Sequence, residues 1–282
     1  MLFEIAIGDA YGSGFEFCPR AKIARANDGL HYEAHEKGIP PGRYTDDTQM
    51  SVAVAELLLR ADEPDGDAFA DAFLAAYRRD PRPGYASHFA VLLQACASGA
   101  ELRRRRAPGS RRNGAAMRSV PLALVRDLDR LERIAHAQAS VTHDSPEGRL
   151  SSVVVGLMGH ALLHARVPVA ALPRLVEART GFALRSDWQG EVACDAVETL
   201  HAVNTALQRQ RGMAALLREC VEFGGDVDSV GAIALGLASL AHEYAADIPA
   251  PLREGLEDGP FGHAWLRALD ERLAARFPLR LR

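Results

Sequence analysis

Aromatic residues are scarce in this chain of 282 residues, at 6% of the sequence, although hydrophobic residues as a whole reach 48%. Alanine, leucine and valine make up most of the hydrophobic fraction. Alanine and leucine favour helices, whereas β-sheets concentrate aromatic and β-branched side chains. The composition therefore predicts an all-α protein, and β-sandwich and barrel classes are excluded.

Cysteine is equally rare, and its spacing excludes two classes of small stabilised domain. The four cysteines are far apart and contain no C-x-x-C pair, so neither a zinc knuckle nor a disulfide framework is indicated. No uninterrupted apolar run reaches the roughly 20 residues of a membrane helix, and no basic segment precedes an apolar one at the N-terminus. We therefore expect a reduced, cytoplasmic protein that does not bind membranes.

The chain also lacks an excess of positive charge, since its formal net charge is −4. Such a balance gives no general attraction to nucleic acid. Six arginines do fall between positions 103 and 112, but no aromatic residue is interleaved with them to stack on bases. We interpret this stretch as a solvent-exposed loop whose arginines pair with surface carboxylates, and we expect no nucleic-acid partner.

No linker, internal repeat or low-complexity tract divides the sequence. Helical spacing of apolar residues predicts about a dozen short helices, one of them over Ala115–Val125, whereas Phe15–Arg43 has the turn residues of a long loop. We predict that residues 1–282 form a single compact domain and that the protein is a monomer.

Two clusters of oxygen-bearing side chains stand directly before apolar helical runs. The first is Thr45-Asp46-Asp47-Thr48, and the second is Asp226-Val227-Asp228-Ser229, which follows Gly224-Gly225. Either cluster alone could be a helix cap, because hydroxyls and carboxylates are favoured at helix N-termini. Their occurrence as a pair suggests two halves of one site.

The chemistry of such a site follows from its charge. Four carboxylates within a few ångströms repel one another, so they become protonated or recruit a cation. Ligation by oxygen alone selects a hard ion such as Mg²⁺, Mn²⁺ or Ca²⁺ over zinc, which prefers histidine and cysteine. Two carboxylate pairs are sufficient for two ions.

Five motifs occur in an order that resembles the ADP-ribosylglycohydrolase family. They are Gly8–Phe17, Thr45–Thr48, Asn113–Arg118, Thr142–His143 and Gly224–Ser229. The resemblance implies an orthogonal multi-helix bundle with two Mg²⁺ or Mn²⁺ ions. It also implies cleavage of the bond between ADP-ribose and an acceptor, which we expect to be an arginine on an ADP-ribosylated protein, although a small ADP-ribose conjugate would present the same ribose.

The resemblance also assigns residues by position. The implied metal ligands are Thr45, Asp46, Asp47, Asp226, Asp228 and Ser229. The implied proton acceptor is Asp46, Asp226 or Glu16. The implied substrate-binding residues are Glu16, Arg112, Asn113, Gly114, Met117 and His143. Arg112 stands where the family usually has glycine, so a guanidinium could bind the diphosphate there in place of backbone amides.

Two other functions are compatible with the sequence. His143-Asp144, together with His160 and His164 at i, i+4, could belong to an HD-type metal phosphohydrolase in which histidines are the ligands. The chain could also be a module that binds ADP-ribose without cleaving it.

Overall fold

Helices form nearly all of the structure, a computed structural model that describes residues 1–107 and 109–277. Within these ranges there are fifteen α-helices and no β-strand, which confirms the prediction of an all-α fold. The helices are α1 (Leu2–Ser13), α2 (Arg20–Ala26), α3 (Asp46–Arg60), α4 (Gly66–Arg79), α5 (Ser87–Ala95), α6 (Gly99–Arg105), α7 (Gly114–Met117), α8 (Leu128–Ser140), α9 (Pro146–His160), α10 (Leu172–Thr180), α11 (Ala196–Arg209), α12 (Met213–Glu222), α13 (Val227–Leu240), α14 (Ala250–Gly255) and α15 (His263–Arg276).

Helices α1 and α13 lie at the centre of the bundle, and each is buried on nearly every side. Their sequences are apolar around the whole circumference, as expected for helices without a solvent face. The two backbones touch where they cross. A Cβ atom added to Gly8 would lie 2.3 Å from the carbonyl oxygen of Gly231, and one added to Gly12 would lie 2.4 Å from the Cα of Asp228.

Two helix predictions differ from the structure. The expected helix over Ala115–Val125 is divided into α7 and a 3₁₀ helix, Val120–Leu124. Pro121 lacks a backbone N–H and so disfavours an uninterrupted α-helix at this point. The expected loop Phe15–Arg43 contains α2, a seven-residue helix in which only Ile23 is buried, so its sequence has no apolar periodicity to reveal it.

The arginine-rich stretch also differs in part from the prediction. Its first three arginines belong to α6, while Arg106, Arg111 and Arg112 lie outside any helix. The expected pairing with carboxylates is confirmed for four ion pairs: Arg103–Asp67, Arg105–Glu101, Arg106–Asp144 and Arg111–Glu147.

Across residues 1–107 and 109–277, no helix combines the length and apolar character that crossing a membrane requires.

Gly8→Ala should lower the free energy of unfolding by about 1–3 kcal/mol or more. At the crossing of α1 and α13 the new methyl group would meet backbone atoms rather than a movable side chain. Gly255→Ala in α14 is the matched control, since its Cβ would meet only the Tyr32 ring at 3.6 Å. Urea denaturation of both variants measures the difference. Equal stabilities would contradict the close packing of the two backbones.

Candidate active site

A cavity of about 710 Å³ brings together residues from distant parts of the chain. Eleven of the twelve predicted site residues line it: Glu16, Asp46, Asp47, Arg112, Asn113, Gly114, Met117, His143, Asp226, Asp228 and Ser229. The exception is Thr45, which is 1% exposed and lies beneath the cavity wall. The two acidic clusters therefore do meet in one place.

The side chains at the N-cap positions of α3 and α13 do not cap these helices. Thr45 is the N-cap of α3 and Asp226 the N-cap of α13, yet neither side chain makes a capping hydrogen bond. Gly224 and Gly225, with φ of +74° and +83°, form the turn before α13. A Cβ at Gly225 would lie 2.1 Å from the carbonyl oxygen of Val192, so the turn requires glycine there.

Asp9 of α1 fixes the start of α3, a role that the sequence analysis did not assign to it. Its fully buried carboxylate accepts hydrogen bonds from the backbone N–H and the hydroxyl of both Thr45 and Thr48, at 2.6 to 3.0 Å. Burial raises the pKa of Asp9 to about 6, although the hydrogen bonds from Thr48 and Thr45 oppose the shift. The sequence feature that could have indicated this role is the presence of an aspartate inside the otherwise largely apolar helix α1.

The carboxylates of the site are crowded and largely buried. Burial, reinforced by neighbouring carboxylates, raises the pKa values of Asp46, Asp47 and Asp228 well above their usual range. The Oδ1 atom of Asp47 is buried without a hydrogen-bond partner. A cation would compensate both the repulsion and this unpaired oxygen.

The donor set fits a hard divalent cation. Carboxylate oxygens of Glu16, Asp226 and Asp228 lie within 4.8 Å of one another, close enough to share one ion. The surrounding candidates are all oxygen donors, as Mg²⁺ and Mn²⁺ prefer. The Thr45 hydroxyl donates to Asp9 and therefore retains a lone pair for a metal.

Glu16 is held at the edge of this cluster by His35, another residue that the sequence did not single out. The Nδ1 atom of His35 accepts the backbone N–H of Lys37 at 2.8 Å, so the ring proton of the neutral imidazole lies on Nε2. That Nε2 donates to Oε2 of Glu16 at 2.9 Å. One carboxylate oxygen of Glu16 is thereby fixed, and the other is left for the cavity.

Basic and amide side chains also line the cavity, in addition to the carboxylates. The Nδ2 atom of Asn113 donates to Asp226 at 2.7 Å and to the Thr199 hydroxyl at 3.0 Å, which orients Asp226. Arg106 and Arg112 line the cavity. Nε and Nη1 of Arg106 are buried without a hydrogen-bond partner, so this guanidinium has donors available for an anion.

His143 is a neutral side chain in this basic region. Burial and the charges of Arg118 and Arg112 lower the pKa of His143 to about 3. The guanidinium of Arg118 is itself buried and donates to Gln138 and to the Thr142 hydroxyl. At neutral pH the imidazole is therefore uncharged and available for hydrogen bonding.

Cys194 also lines the cavity. Burial and the neighbouring Asp226 raise the pKa of its thiol to about 12. The thiol is consequently protonated at neutral pH and is not an activated nucleophile.

The structure does not assemble the histidine site expected of an HD-type phosphohydrolase. Nε2 of His160 and Nε2 of His164 each hydrogen-bond a backbone carbonyl oxygen at 2.9 Å, and neither residue lines the cavity. Asp144 is instead paired with Arg149 and Arg106. These residues act as structural groups.

Comparisons with known proteins agree with this geometry. The family model described as ADP-ribosylglycohydrolase matches residues 2–281. The chain is 29% identical to the ADP-ribosyl-[dinitrogen reductase] glycohydrolase of Rhodospirillum rubrum, over 94% of this chain and 87% of that protein. It is 27% identical to the ADP-ribosylarginine hydrolase Tri1 of Serratia proteamaculans, over 89% and 72% of the two chains.

A solved structure of a related protein has the same fold as this chain. An ADP-ribosylglycohydrolase-related protein complex contains a chain that superposes with a TM-score of 0.76 at 25% identity. The superposition covers 98% of this chain and 95% of that one. The arrangement of helices is therefore shared over nearly the full length.

Asp9→Asn should lower the free energy of unfolding by about 1–3 kcal/mol, because an amide nitrogen would face donors that now bond to a carboxylate oxygen. Asp65→Asn is the control, since Asp65 caps α4 at the surface and asparagine is an equally good cap. Thermal or urea unfolding measures both. An Asp9→Asn protein as stable as the control would show that the contacts with Thr45 and Thr48 are unimportant.

The raised pKa values also predict how a divalent cation affects stability at different pH. Protonated Asp46, Asp47 and Asp228 favour the folded state below the ordinary aspartate value of about 4, and this contribution is lost as pH rises through the higher folded values. Saturating Mg²⁺ should therefore raise the melting temperature more at pH 8 than at pH 5. At a hundredfold excess over Kd the gain is about 2.7 kcal/mol.

The control for this experiment is the Asp47→Asn variant, in which the unpaired carboxylate is removed. Its melting temperature should respond much less to Mg²⁺ at pH 8. A wild-type protein that responds equally at both pH values would be inconsistent with a cation held by these carboxylates.

Proposed function

The chain belongs to the ADP-ribosylglycohydrolase family, and we propose that it hydrolyses the glycosidic bond between ADP-ribose and an arginine side chain of a modified protein. The observation that carries the proposal is the meeting of two buried acidic helix starts in a cavity that also contains arginines. A relative at 27% identity is an ADP-ribosylarginine hydrolase, which supports arginine as the acceptor.

We infer that a pair of Mg²⁺ or Mn²⁺ ions belongs to the acidic side of the cavity. The residues that would hold them are Thr45, Asp46, Asp47, Asp226, Asp228 and Ser229, with Glu16 close by. The unpaired Oδ1 of Asp47 and the raised carboxylate pKa values support this assignment. When bound, such ions supply a nucleophilic water and stabilise developing negative charge.

The charges of the cavity orient the substrate. Arg106 and Arg112 attract phosphates, so the diphosphate lies on the arginine side. The anomeric carbon of the ribose then lies towards the acidic side. On the arginine side, His143 stays neutral and offers hydrogen bonding without adding a charge. A Cβ at Gly114 would lie 2.6 Å from the His143 ring, so glycine at this position allows the imidazole to pack directly against the backbone.

Glu16 is the carboxylate that we favour as proton acceptor for the attacking water, ahead of Asp46 and Asp226. One of its oxygens is fixed by His35, and its side chain is 19% exposed, so a proton can pass to solvent. Asp226 is already engaged by Asn113, and Asp46 is placed at the helix start among the proposed ligands. Positive charge that develops on the ribose in the transition state is stabilised by these carboxylates.

The double variant Asp46→Asn/Asp226→Asn should release ADP-ribose from ADP-ribosylarginine at least about 100-fold more slowly than the wild type, because two of the proposed ligands lose their charge. Asp187→Asn is the control, since that carboxylate is exposed and pairs with Arg185. Chromatography of the released ADP-ribose in the presence of Mg²⁺ measures the rate. Wild-type protein that binds ADP-ribose but releases none would favour a binding module instead.

The Glu16→Gln variant tests whether Glu16 acts as the proton acceptor or as a metal ligand. We expect kcat to fall about 100- to 10,000-fold, the usual contribution of a general base. The increase in melting temperature on adding Mg²⁺ should persist in Glu16→Gln and should be lost in the Asp46→Asn/Asp226→Asn variant. Loss of both properties in Glu16→Gln would assign Glu16 to metal binding instead.

A further inference from the structure

Phe17, which directly follows Glu16, is held in an unusual position at the cavity. Its backbone has a φ of +48°, in the left-handed region that residues with a bulky side chain rarely adopt. The aromatic side chain is 52% exposed although it lines the cavity. Strained and exposed aromatic residues are uncommon without a functional reason, because both features disfavour the folded state.

The backbone conformation is fixed by a contact with the second acidic cluster. The N–H of Phe17 donates to the carbonyl oxygen of Gly225 at 2.8 Å, and Gly225 directly precedes Asp226. Glu16, on the other side of Phe17, shares the oxygen cluster with Asp226 and Asp228. The ring of Phe17 is therefore attached on the acidic side of the cavity.

The orientation of the substrate places the acceptor on this side. The diphosphate lies towards Arg106 and Arg112, and the anomeric carbon lies towards the carboxylates. The group bonded to that carbon therefore extends away from the diphosphate, in the direction of the loop that carries Phe17. This step rests on the proposed function, because it uses ADP-ribose as the bound group.

We propose that Phe17 is a specificity-determining residue whose ring face packs against the acceptor and favours a planar cation, the guanidinium of a modified arginine. A guanidinium over an aromatic face is attracted by the ring quadrupole, and nearby carboxylates favour the same charge. Lys37 also lines the cavity, but it is exposed, so its charge is screened by solvent. A neutral acceptor such as serine gains neither interaction.

Phe17→Leu tests this inference, because leucine keeps an apolar side chain but removes the aromatic face. We expect kcat/KM for ADP-ribosylarginine to fall about 3- to 10-fold, the range of a partly exposed cation–π contact. The value for ADP-ribosylserine and the inhibition constant of free ADP-ribose should change less than twofold. Phe17→Tyr is the matched control and should retain the preference for arginine.

Three results would overturn the inference. Equal losses on both conjugates would indicate a general structural role, which the melting temperature of Phe17→Leu also reports. Weaker inhibition by free ADP-ribose would show that the ring contacts the nucleotide rather than the acceptor. An unchanged preference for arginine would show that the ring does not contribute.

A binding measurement separates this inference from the proposed function. Calorimetry in the Asp46→Asn/Asp226→Asn background, where we expect turnover to be at least about 100-fold slower, compares the affinity for ADP-ribosylarginine with that for ADP-ribose. The proposed function would be wrong if the wild-type protein hydrolysed no conjugate. The role of Phe17 would be wrong if the Phe17→Leu substitution left the ratio of the two affinities unchanged.

Discussion

The backbone contact between α1 and α13 is the constraint on which the site depends. Gly8 and Gly12 allow α1 to approach α13 so closely that no side chain fits between them at these points. Asp9, between these glycines, is thereby placed beneath α3, where it receives the N–H and hydroxyl groups of Thr45 and Thr48. One helix crossing thus sets the distance between two acidic helix starts that are about 180 residues apart in sequence.

Charge is concentrated at this crossing at a cost to stability. Buried carboxylates next to one another disfavour the folded state unless they are protonated or neutralised by a cation. The cost is smaller for Asp9, whose pKa rises only to about 6, because four donor groups of Thr45 and Thr48 surround its oxygens. Asp47, by contrast, keeps an oxygen without a partner. Asp9, which positions α3, therefore has hydrogen-bond partners for its carboxylate, whereas Asp47, which lines the cavity, has an oxygen without one. This distribution is expected of a site that binds a cation.

Sequence alone could indicate the acidic clusters but not the residues that hold them in place. Asp46 and Asp226 precede recognisable helical runs, so local pattern and a family resemblance were sufficient to pair them. His35 acts on Glu16, and Arg118 acts on Gln138 and Thr142, through contacts that follow from the packing of distant segments. The break after α7 has a different, local cause, because the apolar spacing continues through the segment but Pro121 disfavours an uninterrupted α-helix there.

The state of the other reactive side chains limits the chemistry of the cavity. His143 lies among arginines and is neutral, and its low pKa makes it a poor proton acceptor near neutral pH. The Cys194 thiol lies beside Asp226, whose charge opposes formation of a thiolate. The arginines cannot accept a proton at all. Under the proposed function, acid–base chemistry in this cavity is therefore left to carboxylates. Glu16 has an oriented oxygen and a partly exposed side chain, which is why we propose it as proton acceptor ahead of the aspartates at the helix starts.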